Sequence, residues 1–132
     1  MTDENEQAKR VREKLLVNDD ALFEELLGKA SKLFRLDEEG NPHPLLVIEK
    51  LSSKKRAEFF LLARHLAKVG KLRDKDTASD KEMSAFLGIT AEEAQKRASD
   101  LKGEGKVEVP ERGAYRLVPG RISDVLRDLG AE

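Results

Sequence analysis

The chain of 132 residues has two histidines, His43 and His65, and no cysteine. Neither histidine has Cys, Asp or Glu around it at the spacing of a metal-ligand set. No glycine-rich phosphate loop is present. The residues therefore offer no metal site, no cofactor site and no catalytic constellation, and the chain does not read as an enzyme. His65 reads as a half-buried helix residue, and His43, between Pro42 and Pro44, as a solvent-facing turn residue. The chemistry that remains is that of fixed charge. Residues 50–75 carry nine basic groups, Lys50, Lys54, Lys55, Arg56, Arg64, Lys68, Lys71, Arg73 and Lys75, against Glu58 and Asp74. The segments on either side are acidic, so the whole has a net charge of −1. A basic block of this kind can be the footprint of a phosphate backbone. It can equally be a solvated helix start whose balancing acids lie nearby in space. Elsewhere Asp and Glu alternate with Lys and Arg, as on a solvated face.

Length allows one domain with a real core and an appendage. Without cysteine there is no disulfide framework. No apolar run is long enough to span a bilayer, and the N-terminus, MTDENEQAKR, is acidic and polar, unlike a signal peptide. The expectation is a soluble, cytoplasmic protein.

The elements that must position any charged surface are clearest between Ser79 and Val118. Ser79 is followed three residues later by Glu82, and Thr90 by Glu93. Each pair has the form of a capping box, in which the hydroxyl bonds a first-turn N–H and the glutamate reaches back to the cap. Two boxes this close leave room for a short helix, a tight turn at Gly88-Ile89, and a second helix. Met83, Phe86 and Leu87 face inward from the first. Ala91, Ala94, Ala98 and Leu101 do so from the second, where small residues permit close approach. Gly103 and Gly105 close it. Lys106 to Val109 and Ala114 to Val118 alternate as half-buried strands, with Pro110-Glu111-Arg112-Gly113 as their turn.

Before this stretch, residues 4–17 read as a helix with Ala8, Val11 and Leu15 on one face and Leu16 beside them. Asn18 is positioned to cap a second helix, with Asp19 and Asp20 in its first turn and Val17 and Leu22 as a hydrophobic staple. That helix carries Leu22, Phe23, Leu26, Leu27 and Ala30. The apolar runs 33–36 and 44–48 flank turn formers at 37–42, which predicts a hairpin or extended arm. A helix opens at residues 51–53 and runs to about Val69, apolar on more than half its circumference and so buried on several sides. Gly70 stops it, and a charged loop follows from Lys71 to Ala78. A last helix carries Ile122, Val125, Leu126 and Leu129.

With these residues in place, positions 53–118 resemble the winged helix-turn-helix superfamily of prokaryotic (archaeal and bacterial) transcription regulators. The pattern is Ser79-x-x-Glu82, Leu87-Gly88-Ile89-Thr90, Leu101-x-x-x-Gly105-Lys106-Val107 and Arg112-Gly113-x-Tyr115-Arg116-Leu117. The resemblance implies a mainly α fold with a small β-hairpin wing. The expected division is residues 1–49, an N-terminal helical extension with the hairpin or arm, and residues 50–132, the winged domain with its C-terminal helix. The likeness is specific for the fold and weak for function, since the fold also serves as a protein-interaction module.

In that superfamily the helix after the turn enters the major groove of duplex DNA. Here its outer face carries Glu92, Gln95, Lys96 and Ser99, with Arg97 and Lys102 at the flanks. Gln95 would read adenine, and Lys96 or Arg97 would read guanine or grip phosphate. The wing offers Arg112, Arg116 and Lys106, and Lys54, Lys55 and Arg56 stand at the start of the first winged helix. Against this, Glu92 stands near where a phosphate would come, Glu93 is committed as a cap, and Glu108 and Glu111 add negative charge to the wing. The implied function is a DNA-binding transcription regulator. The alternative is a winged-helix interaction module in a larger assembly with little DNA affinity. Tyr115, the only tyrosine, reads as a core-edge packer. A homodimer would form through Leu22, Phe23, Leu26 and Leu27, or through Ile122, Val125, Leu126 and Leu129. The second set can as well cover its own core.

Overall fold

The computed structural model describes residues 4–15 and 19–131. The expected cap at Asn18, the staple from Val17, and Leu16 lie outside the described residues. Six α-helices are described: α1 (Glu4–Leu15), α2 (Asp19–Ala30), α3 (Ser53–Val69), α4 (Asp80–Leu87), α5 (Ala91–Gly103) and α6 (Ile122–Asp128). Five short strands accompany them: β1 (Phe34–Leu36), β2 (Pro42–Pro44), β3 (Ala78–Ser79), β4 (Val107–Glu111) and β5 (Ala114–Leu117). The molecule is mainly helical with small antiparallel sheets. None of its described helices is long and apolar enough to cross a membrane.

A hairpin follows α2, but its second strand is Pro42–Pro44, not the apolar run 44–48, which leads instead into a 3-10 turn at Ile48–Lys50. β1 pairs antiparallel with β2, with Phe34 opposite Pro44 and Leu36 opposite Pro42. Both prolines are accommodated because this is a two-stranded edge. His43 stands within β2, exposed, and its Nε2 lies 3.1 Å from an Asp37 carboxylate oxygen. Asp37 also accepts from the Asn41 backbone N–H, and these bonds hold its carboxyl below the usual carboxylate range. The turn between the strands needs glycine at position 40, where φ is +81° and a Cβ would lie 2.6 Å from the Arg73 side chain.

α3 is the centre of the core. Ala57, Phe59, Leu61, Leu62, Ala63 and Ala67 are all fully buried, as the all-round apolar pattern requires. Ser52 caps it by accepting from the Lys55 N–H. Phe59 meets Phe34 edge-on at 5.4 Å between centroids and stacks at 6.0 Å with Phe86. Ala30, Leu33 and Phe34 thus join the same apolar cluster as α3 to α6. The segment before residue 50 is therefore built in part into the core of the segment after it.

α4 and α5 are joined by the predicted tight turn. The Ser79–Glu82 capping box is complete, and Gly88 ends α4 in the left-handed region at φ +71°. The Ser84 hydroxyl donates to the Ile89 carbonyl at 2.5 Å and fastens the turn. At Thr90 only half the box forms. The hydroxyl accepts from the Glu93 N–H, while the Glu93 side chain makes no bond back to the cap among the described residues. Glu93 is exposed and its carboxylate is not committed as a cap, which corrects that expectation. Ala94, Ala98 and Leu101 are fully buried and seat α5 against α3, whereas Ala91, in the first turn, is exposed and does not face inward as expected.

The sheet contains a strand that the sequence did not suggest. β3 pairs antiparallel with β5, Ala78 opposite Tyr115, and β5 pairs with β4, so the order is β3-β5-β4. Two residues inside a charged stretch carry too little period-2 pattern to be seen as a strand. β4 runs to Glu111 through an irregularity between Glu108 and Glu111, so the turn is tighter than the four residues expected. Tyr115 is buried, and burial together with Asp80 pushes its hydroxyl up to about 12. α6 packs on α3 with Ile122, Val125, Leu126 and Leu129 buried. Those four side chains cover their own core, so they are not available to a second copy.

Gly88 provides a clean test of the turn. A Cβ there meets nothing within 4 Å, so the cost of Gly88→Ala is purely conformational. It should lower the unfolding free energy by about 1–2 kcal/mol, the penalty of a left-handed non-glycine residue. Gly103, also open but at negative φ, is the control. Gly103→Ala should be neutral or slightly stabilising in the same urea titration.

Candidate nucleic-acid interface

The outer surface of α5 is set by what its inner surface buries. With Ala94, Ala98 and Leu101 inward, Glu92, Glu93, Gln95, Lys96, Ser99, Asp100 and Lys102 are exposed. Gln95, Lys96, Ser99 and Lys102 make no side-chain hydrogen bond or ion pair among the described residues. Arg112, at the β4–β5 turn, is exposed and equally free among the described residues. Lys55 projects from the first turn of α3 in the same condition.

The other predicted contacts are held by the protein itself. Arg97 is half-buried and pairs with Asp100 at 3.3 Å, one turn along the helix. On the hairpin, Arg116 donates to Glu108 at 2.5 Å, its cross-strand neighbour. Lys54 reaches across to Glu104 at 2.8 Å and joins the start of α3 to the end of α5. That bond raises the Lys54 ammonium and, for Glu104, lowers the carboxyl. The Arg56 guanidinium donates to the Leu87 carbonyl at 3.1 Å, placing a cation at the negative end of α4. Each of these four loses some of its attraction for an external phosphate. The free set is smaller than the sequence suggested: Gln95, Lys96, Ser99, Lys102, Arg112 and Lys55.

Lys106 departs furthest from expectation. Its place on the hairpin makes it a candidate wing contact, but it is buried at 8% exposure. Its ammonium lies 3.0 Å from Glu58, 3.3 Å from Glu104, and against the Asp128 carboxylate. Glu58 is itself 1% exposed. Burial pushes its carboxyl up to about 7, against the pull of Lys106. The sequence does not display this cluster as a unit, yet it carries a signal of it. Glu58 stands between Ala57 and Phe59 in a helix apolar nearly all round, where a carboxylate must find a cation.

The basic block also resolves into internal pairs. Arg64, nearly buried, lies 4.8 Å over the Phe60 ring and donates to Glu82 at 2.6 Å. Arg73 approaches the same carboxylate oxygen at 3.7 Å. Glu82 therefore caps α4 and receives two guanidiniums from the α3 side. Of the nine cations, Lys54, Arg56, Arg64 and Arg73 meet partners on later elements. The reading of balancing acids nearby in space accounts for Lys54, Arg64 and Arg73, while Arg56 meets a backbone carbonyl.

His65 is half-buried on α3, and burial lowers its imidazole. No group of His, Asp and Glu that could hold a metal ion occurs among the described residues. No family model matches this chain, and neither a curated protein nor a solved structure matches it.

Proposed function

We propose that the chain is a winged helix-turn-helix DNA-binding protein, a transcription regulator that reads duplex DNA with α5 and touches the backbone with the β4–β5 wing. The order α3-β3-α4-α5-β4-β5, with sheet order β3-β5-β4, supports the winged-helix reading. One observation carries the functional reading. Gln95, Lys96, Ser99 and Lys102 are solvent-facing and free among the described residues, while most neighbouring cations have protein partners. An exposed helix face of this composition fits the major groove, where an amide side chain meets adenine and ammonium groups meet guanine or phosphate. Arg112 extends the contact to a flanking phosphate. The role places the protein with the chromosome, in the cytoplasm, and needs no cofactor, metal or catalysis.

The test is a fluorescence-anisotropy titration against duplex DNA at several salt concentrations. Affinity should fall as salt rises, because each phosphate contact releases counterions. Replacing Lys96, Lys102 and Arg112 together by Ala should weaken binding by about 10- to 100-fold and flatten the salt slope by about 2–3. No binding at low salt, or a triple variant that binds like the parent, would refute the reading. Glu92, Glu93 and Glu111 are also exposed, and they favour a second reading, a protein-interaction module. That module would bind no DNA and would retain a stable partner in a pull-down.

A further inference from the structure

We infer that two copies of this chain associate by laying α1 of each across α2 of the other. Such an association is independent of what α5 binds. All the described residues of α1 are exposed, including Val11 at 55% and Leu15 at 76%. With Ala8 they form one apolar stripe at i, i+3 and i+7. A helix of twelve residues is marginal in water by itself, so a stripe of this kind calls for a partner. α2 offers a matching surface. Ala30 and Leu26 turn inward, but Leu22, Phe23 and Leu27 stay exposed. Phe23 and Leu27 also border an apolar groove that Leu66 helps to line.

Charge selects the pairing. α1 has Arg10, Arg12 and Lys14 in its second half against Glu13 alone, whereas α2 has Glu24 and Glu25 in its middle against Lys29 at its end. Arg12 and Lys14 flank the α1 stripe by helical geometry, and Glu24 borders the Phe23–Leu27 side of α2. Glu24, Arg12 and Lys14 have no ion pair among the described residues. α2 on α2 would set its carboxylates against each other. α1 on α2 sets opposite charges together. A reciprocal arrangement satisfies both faces of both copies with one two-fold axis.

Sedimentation of the full chain without nucleic acid should give a dimer at micromolar concentration. Val11→Glu with Leu15→Glu should weaken dimerisation by more than about a hundredfold, because two carboxylates would be placed in the contact. Its circular dichroism outside the α1 contribution should be unchanged, since α1 contributes nothing to the core. Arg12→Glu should weaken the dimer, and Glu24→Arg added to it should restore it. Because the chain has no cysteine, a Leu15→Cys protein mixed with a Leu27→Cys protein under mild oxidant should give a disulfide-linked heterodimer. A monomer at all concentrations would overturn the inference. So would a dimer indifferent to Val11 and Leu15, or a Leu15→Cys/Leu27→Cys double variant that closes its disulfide within one chain.

Discussion

Lys106→Met should cost about 3–5 kcal/mol of stability at pH 8, the cost of removing one partner from a buried ion pair. Lys106 holds three carboxylates together, Glu58 from α3, Glu104 after α5 and Asp128 from α6. Methionine fills a similar volume but leaves Glu58 and Asp128 facing each other without a cation. At pH 5 the loss should be smaller, because Glu58 then carries a proton and can donate it to Asp128. Urea titrations at the two pH values would show this. An equal loss at both would mean that Glu58 stays charged in the folded protein.

The parent protein should show the same group from the other side. Glu58 titrates at about 7 in the folded chain, raised from 4.5 by burial. Between those values the native state binds a proton that the unfolded state has released. The contribution of Glu58 is fully present below pH 4.5 and is lost as pH rises through 7. Its magnitude is on the order of 3 kcal/mol. Asp128 and Glu104 are held below their ordinary values, so their contributions appear above the ordinary carboxyl range and vanish as pH falls through the depressed values. Lys106 is raised. Its contribution is present throughout this range and is lost only in strong alkali. Stability should therefore be highest near pH 5 and decline toward pH 8. Glu58→Gln should abolish the decline.

What could be read from the sequence was whatever is local. A capping hydroxyl acts three residues away, so Ser79 and Thr90 marked the starts of α4 and α5 directly. Gly88 marked the turn because few other residues adopt its conformation. The apolar periods of α3 and α6 were visible within single elements. What escaped depends on contacts between distant parts of the chain. β3 is a strand only because Tyr115 lies opposite Ala78. Lys106 looked like a wing contact because Glu58 and Asp128 are 48 and 22 positions away. Glu93 was assigned a bond that only its rotamer could decide. The candidate interface was legible in outline for the same reason. The residues α5 turns outward follow from its period, but which cations remain free depends on Glu104, Glu108 and Asp100.

The second large effect should come from Phe59→Ala, and it bears on how many units this chain contains. Phe59 is fully buried and its ring touches Phe34 from the β1–β2 hairpin and Phe86 from α4. Truncation removes a large apolar side chain from a site packed on two sides by other rings, which do not easily collapse inward. The expected loss is about 3–5 kcal/mol, a large part of the total stability of a domain this size. If residues 19–49 were a separate appendage, their unfolding would be insensitive to this position. The shared cluster of Ala30, Leu33 and Phe34 with α3 to α6 requires the opposite. Helix content by circular dichroism and fluorescence of Tyr115, which sits in the central strand, should report one coincident transition in the parent protein. In the Phe59→Ala variant both should shift together to lower urea. Phe34→Ala should move the Tyr115 signal as well, although Phe34 is far from it in sequence. A biphasic curve in either variant would assign residues 19–49 a folding unit of their own.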